Sequence, residues 1–482
     1  MADSDLRPED SSGDSQAIFQ SDSTTQPGSF RTVLSSPGVK FIMIGFISMA
    51  LLIPTLLVWG LVEERGRRAE EVSSRIANGW GGSQVLNGPY VAVPFEVNRN
   101  QTVDGRIVWQ TVTEWALLMP ETLSVDSKLS TEERKLSIYT LPVYNAKIAI
   151  TGKFASGMID DLKQIEGKPD LDRAMLVMSI ADITGIRSDA GVSIDSGPLM
   201  PFDPGMKAIS TLALGSVEPY GSPARLESGV NRPIGRALVE SGFGFSVDLS
   251  LNGSGSFAVA PAGQTTHLAV QANWPHPGFE GLFLPEEKSI DGTGFSARWT
   301  IPYLARGVDR VVSGSVLPLS NSLMTVNMVE PVKFYQVVAR TLKYSVGFFS
   351  VVFLAVFILE IKSARKVHWI QYVLTGLALV VFYVLLLALA EHTGFEIAYL
   401  LASLATAGLI SSYVGSVTGS TRRGAILAFA LGLAYAVMYL ILREDEYALL
   451  AGALISFVTI AATMFSTRNI DWSGVGRKPV QA

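Results

Sequence analysis

Six apolar runs constrain this chain more than any other feature, because the roughly 30 Å hydrocarbon core of a bilayer is crossed by about 20 consecutive apolar residues in a helix. They cover residues 41–62, 344–360, 370–390, 397–417, 424–442 and 447–465. The expected fold class is a multi-pass α-helical membrane protein with six transmembrane helices. Composition agrees, since 48% of the 482 residues are hydrophobic and only 17% are charged, which is too apolar for an ordinary soluble protein. The first run is longer than a signal-peptide core, follows a polar stretch of about 40 residues and meets Glu63 and Glu64 without a small-residue cleavage site. It is expected to remain as an anchor.

Orientation follows from the short loops, because lysine and arginine resist translocation. Lys362, Arg365 and Lys366 follow the second run, Arg422 and Arg423 precede the fifth, and Arg468, Arg477 and Lys478 lie in the C-terminal tail. The alternating loops are "EHTGFE", with no lysine or arginine, and "REDE", where Arg443 faces three acids. Both termini are therefore expected in the cytoplasm, with residues 63–343 outside it. The organisation reads as a disordered tail over 1–40, a first span over 41–62, an extracytoplasmic domain over 63–343, a five-helix bundle over 344–466 and a second tail over 467–482.

The glutamates and histidine of "EHTGFE" raise the question of a proton relay. Groups that move protons lie deep within spans, and the interiors of these six runs hold no Asp, Glu, Lys, Arg or His. A turn broken by Gly394 is the expected reading, with Glu391 and His392 as an interfacial pair touching lipid headgroups or the large domain. Glu360 belongs to the end of its span, beside Lys362. The same uncharged interiors count against a transporter or channel. Small residues recur every fourth position at Ala407, Ser411, Gly415 and Gly419, and again at Gly424, Ala428, Gly432 and Ala436. They predict close helix packing within one bundle rather than a contact between copies, and leave the oligomeric state open.

Outside the spans the period changes. "EERGRRAEEVSSRIANG" sets Glu64 four residues before Arg68 and Glu71 four before Arg75, predicting a solvated helical stalk. From Trp80 to about Met328, short alternating runs such as "KLSIYTL", "AKIAITGKF", "THLAVQANW" and "FSARWTI" are separated by glycine and proline. Period-two alternation predicts a large, β-rich, mainly antiparallel, sandwich-like domain. "AKIAITGKF" with "LVMSIADITGI" loosely echoes "VDLSLNGSGSFAVAP" with "HLAVQANWPHP", which suggests an internal duplication.

Chemistry-bearing patterns are scarce. The chain has no cysteine, so thiolate metal sites and a cysteine nucleophile are excluded. It has no G-x-S-x-G, H-E-x-x-H or P-loop motif, and "SARK" at 363–366 lacks the partners that would make S-x-x-K catalytic. The histidines, at 267, 276, 368 and 392, share no ligand spacing. The reading is non-enzymatic, with no catalytic residues, no cofactor and no metal. A membrane-tethered hydrolase would need a nucleophile, base and orienting group in one cleft. A net charge of −5 offers no field for nucleic acid. One extracytoplasmic stretch, "NWPHPGFEGLFLP", gathers Trp274, His276, Phe279 and Phe283. It is read as a cover over one end of the β core, or as a docking face for an envelope protein or lipid.

"GPYVAVPF", "LNGSGSFAVAPAG", "NWPHPGF", "YVLLLALAEHTGFEIAYLLAS" and "TRNIDW" occur in order along the chain. Together they resemble the CreD family of bacterial inner-membrane proteins, often labelled cell envelope integrity proteins. The similarity runs from about Pro37 to Trp472; the acidic tail before residue 35 departs from the shorter start of the family. The resemblance implies a Gram-negative inner-membrane location, a periplasmic placement of the large domain, and a link to envelope stress under two-component control and, in enterobacteria, to colicin tolerance. It implies no reaction and no catalytic residues. The expected role is a non-enzymatic envelope protein whose β domain contacts an envelope partner.

Overall fold

The structure, a computed structural model, describes residues 37–468 apart from 104–105, 137–138, 207–212, 215–227, 314–315, 318, 320–321, 329–333, 362, 364–366 and 444–447. The N-terminal tail up to residue 36, the C-terminal tail beyond 468 and most of the "SARK" and "REDE" loops therefore lie outside the described residues. Contacts divide the chain into two units. One is Met1–Val58, Arg340–Leu386 and Tyr399–Ala482; the other is Trp59–Ala339 and Leu387–Ala398.

The second unit is built on two mixed sheets. Its first strands are β1 (Gln84–Val103), β2 (Arg106–Leu118), β3 (Thr122–Leu136) and β4 (Tyr139–Phe154). One sheet runs Pro277–Glu280, Met324–Met328, Ser256–Val259, β1, Met175–Ile180, Gly229–Pro233 and Asp203–Pro204, with β2 also on β1. The other runs Glu287–Ile290, Phe295–Ile301, Thr265–Ala272, β3, β4, Phe243–Ser254, Gly191–Ile194 and Met200–Pro201. Each has a parallel pair at its middle, Ser256–Val259 on β1 and Thr265–Ala272 on β3, among otherwise antiparallel neighbours.

Alternation does what period two requires. Leu123, Val125 and Leu129 of β3 point inward while Ser124, Asp126 and Lys128 are exposed. Residues of both sheets share one core, with Tyr90, Tyr144, Phe154, Phe257 and Trp299 fully buried. Burying each such side chain contributes roughly 1.5–3 kcal/mol. The suggested duplication does not hold. "AKIAITGKF" lies in β4 and "VDLSLNG" in the adjacent strand of the same sheet, but "LVMSI" and "HLAVQA" belong to different sheets.

The stalk forms the end of the helix Leu52–Trp80, with the expected pair Glu64–Arg68 at 2.6 Å. Trp80 joins it to the lobe. The Arg134 guanidinium lies 3.7 Å from the ring centroid, the indole N–H donates to the Tyr144 carbonyl at 3.3 Å, and Arg187 donates to the Trp80 carbonyl at 3.2 Å.

The other unit is helical. Among the described residues, four helical stretches are long and apolar enough to cross a membrane: Gly38–Trp80, Trp369–Thr393, Phe395–Thr418 and Thr421–Arg443. Phe334–Lys343 and Ser345–Ile361 make a fifth candidate if the pair, bent by 53°, is one span. In the last helix, Ala448–Thr467, the qualifying apolar stretch is the shorter Gly452–Phe465. Among the described residues the count is thus four or five against the six expected, because Ser345–Ile361 alone has only 17 residues and the apolar part of the last helix is shorter still. The first helix starts at Pro37 and breaks for one residue at Leu51, where Pro54 offers no N–H to the Ala50 carbonyl. Close packing centres on Gly415 and Gly424: a Cβ on Gly424 would stand 2.9 Å from the Ser411 carbonyl oxygen and 3.2 Å from Gly415 Cα. Ala428, Gly432 and Ala436 of the same stripe are exposed.

Candidate functional site

Glu391 is the expected interfacial residue around which the structure gathers partners. Its helix ends at Thr393, and Gly394 with φ 80° supplies the left-handed turn into Phe395–Thr418. The stretch Leu387–Ala398 belongs by contacts to the β-rich unit. Within it the Glu391 carboxylate accepts a hydrogen bond from the Tyr335 hydroxyl at 3.3 Å and stands 3.7 Å from an Arg65 guanidinium nitrogen. Tyr139, at the tip of the β3–β4 hairpin, lies close enough to Tyr335 to help raise that phenol's pKa. Gly66 of the stalk packs beside Tyr335, where a Cβ would make an ordinary 3.8 Å contact with that of Tyr335. The Glu391 side chain is only 11% exposed while Arg65 is 39% exposed. His392 and Glu396 face outward. The cluster links the stalk, a strand hairpin and a helix turn, and its chemistry is that of a polar joint.

Arg65, Tyr139 and Tyr335 were not singled out from the sequence, where the stalk reads as solvated throughout. A second missed cluster lies in the helical unit. Glu360 is buried and accepts from the Lys40 ammonium, from the backbone N–H of Val367 at 3.0 Å and from the Tyr372 hydroxyl at 2.8 Å. Lys40 also donates to the Val367 carbonyl at 3.2 Å. Glu360 does sit in the last turn of its helix, yet it is satisfied by these groups rather than by solvent. Opposite charges at the ends of the first and second apolar runs were the available signal.

In the aromatic loop, Trp274 is buried and its N–H donates to the His276 carbonyl at 3.2 Å. Phe279 sits on the edge strand Pro277–Glu280 and meets Phe295 and Trp299 edge-on, with centroids 5.8 and 5.9 Å away. Trp299 donates to the Phe283 carbonyl at 3.0 Å. Phe279 and Phe283 are therefore half-buried against the core, and what the loop turns outward is His276, Leu282 and Leu284, the two leucines being 65% and 64% exposed.

Deeper in the lobe, Arg306 is buried with no carboxylate at ion-pair distance among the described residues. It donates to the carbonyls of Ala262 at 3.3 Å and Val308 at 2.8 Å and to the Met119 sulfur. Burial lowers its pKa, opposed by nearby Tyr90, and burial pushes the Tyr90 phenol well above its ordinary value. Among the described residues, no group of three or more His, Asp or Glu could hold a metal ion.

The profile of the family described as "Inner membrane protein CreD" matches residues 36–473. Inner membrane protein CreD of Escherichia coli (strain K12) is 31% identical over 430 residues, covering 88% of this chain and 91% of that protein. Both matches take in the β-rich lobe, the Glu391 turn and the apolar helices together, and on them the chain belongs to the CreD family of inner-membrane proteins.

Proposed function

We propose that this protein is a non-enzymatic component of envelope integrity, crossing the inner membrane six times with both termini in the cytoplasm and holding its β-rich lobe in the periplasm against an envelope partner. The observation that carries the reading is the outward pair Leu282 and Leu284, supported from beneath by Phe279, Phe283 and Trp299. Large aliphatic side chains on a rigid, aromatic-backed loop suit a protein surface better than water. The joint at Glu391 gives that contact a route to the helices, since a load on the lobe reaches the turn through Arg65 and Tyr335.

Photo-crosslinking residues at 282 and 284 in living cells test the docking face. The reading expects one defined adduct from both positions and none from the exposed Leu199; identical patterns at all three would sink it. Reporter fusions within 363–366 and 443–446 test the placement separately. Periplasmic activity from the first fusion would reverse the lobe.

A further inference from the structure

The outer face of the sheet that carries β3 and β4 holds an open cavity of about 540 Å³. At its middle is the short side chain of Ala149 on β4. The register sets Asp126 of β3 opposite it on one side and Asp248 of Phe243–Ser254 opposite it on the other. In the next outward row Lys128 and Lys147 face each other across the β3–β4 ladder, and Ser250 continues that row. The adjoining loop, whose Arg187 N–H donates to the Ser250 carbonyl at 3.0 Å, adds Ser188.

Like charges directly opposite one another on a sheet are destabilising, and the two lysines stand so. Among the described residues, no acid lies within ion-pair distance of either lysine and no base within that distance of either aspartate. All four side chains are exposed. Opposite charges are thus kept in separate rows, and a ligand carrying both signs can bridge them.

Spacing and charge define that ligand. Rows two residues apart lie roughly 7 Å from each other along the strands, and Asp126 and Asp248, two strands apart, have Cα atoms roughly 10 Å apart. An ammonium above Ala149 can meet both carboxylates, while an oxyanion one row away meets two ammonium groups and two hydroxyls. Two lysines balance two aspartates, so the complementary ligand is a zwitterion without net charge. Four donors around one row suit the several oxygens of a phosphate, which lysine meets as a point charge. We propose that this face binds an aminoalkyl phosphodiester, the chemistry of a phosphoethanolamine head, with its phosphate on Lys128 and Lys147 and its ammonium between Asp126 and Asp248.

Saturation-transfer NMR on the full chain in maltoside micelles, titrated with glycerophosphoethanolamine, is expected to show one saturable site. Glycerophosphocholine has no N–H to give the aspartates and should bind about tenfold more weakly or worse. Lys147→Ala, Asp248→Asn and the cavity-filling Ala149→Leu should each weaken glycerophosphoethanolamine binding by about tenfold or more. Lys288→Ala, at an exposed lysine outside the cavity, should leave it unchanged. Repeating the titration in nanodiscs separates the sources. Weaker apparent binding in phosphatidylethanolamine discs than in phosphatidylcholine discs assigns the site to a lipid head, and equal binding in both assigns it to a soluble phosphodiester. Absence of saturable binding, equal affinity for the choline analogue, or wild-type affinity in all three cavity variants would overturn the assignment.

Discussion

The Arg65 guanidinium stands 3.7 Å from the Glu391 carboxylate, pairing the stalk with the turn between two long apolar helices. The Tyr335 hydroxyl, 3.3 Å from the same carboxylate, adds a third element, and Tyr139 brings in the β3–β4 hairpin. One carboxylate therefore organises four segments of the β-rich unit. Such a joint holds the stalk in register with the turn.

Replacing Glu391 by Gln keeps the acceptor for Tyr335 and removes the charge. Because Arg65 is 39% exposed, the pair is screened, and its coupling is expected to be no more than about 1 kcal/mol. The expected phenotype is normal membrane insertion with a melting temperature lowered by about one or two degrees at most. The charge exchange Arg65→Glu with Glu391→Arg should recover at least half of the loss, and His392→Ala should change nothing. A double-mutant cycle in detergent reads the coupling; a zero coupling term would reduce the contact to coincidence.

Period and polarity made part of this legible. Leu123, Val125 and Leu129 announce β3 because each alternate side chain must face the core, and Glu64 with Arg68 announces the stalk because four residues make one helical turn. The partners of each strand were not legible, since nothing local in "SFAV" says that it lies parallel to β1. The length of β1 was not legible either: proline is scarce inside strands, yet β1 runs through both Pro89 and Pro94 for 20 residues. For Glu391 the residue itself stood out against hydrocarbon, whereas Arg65 was hidden among other arginines of a charged helix. Lys40 and Glu360 were hidden for the opposite reason: each looked like an ordinary span end, and their meeting depends on which helices pack together. The aromatic loop showed its composition but not its direction, so inward Phe279 and outward Leu282 were indistinguishable before the edge strand was in place.

Arg306 tests how the lobe tolerates a buried charge with no carboxylate at ion-pair distance among the described residues. Its hydrogen bonds go to backbone carbonyls and a thioether, so Arg306→Met leaves those carbonyls without donors while nearly preserving volume. With each lost bond to a charged group worth about 1.5–3 kcal/mol, the full-length protein should lose about 3 kcal/mol in denaturant titrations followed by tryptophan fluorescence. Arg306→Lys should recover less than half, because one ammonium cannot span the same acceptors. A loss below about 1 kcal/mol would show the carbonyls finding water instead.

Asp182 gives the lobe a defined acid sensitivity. Burial raises its pKa, but the hydroxyl and N–H of Thr184 and the N–H of Gly82, at 2.6, 3.0 and 2.8 Å, outweigh burial and hold it below the usual aspartate value. A carboxyl depressed in the folded state binds fewer protons there than when unfolded, so it stabilises above the unfolded value of about 3.9 and loses that contribution as pH falls through the folded value. The melting temperature of Asp182→Asn should therefore lie below wild type by a constant interval from pH 7 to pH 5. The interval should shrink below about pH 4. Comparing the two proteins cancels Glu114 and Asp172, whose pKa values are also lowered by arginine partners. An interval that widens on acidification would give Asp182 the opposite sign.

Gly424 and Gly432 separate the two meanings of a small-residue stripe. The first has Ser411 and Gly415 against it and no room for a Cβ, whereas the second has nothing within 4 Å. Gly424→Leu should force the two helices apart, at a cost of about 1–3 kcal/mol by analogy with overpacked cores. Gly432→Leu should be neutral or slightly stabilising, because leucine is the better helix former. Thermal aggregation in detergent reads both. If Gly432→Leu were the more harmful, the outward stripe of Ala428, Gly432 and Ala436 would have to be covered by another helix, and a second copy of the chain would supply it; sedimentation of wild type beside that variant would then show the larger species only in wild type.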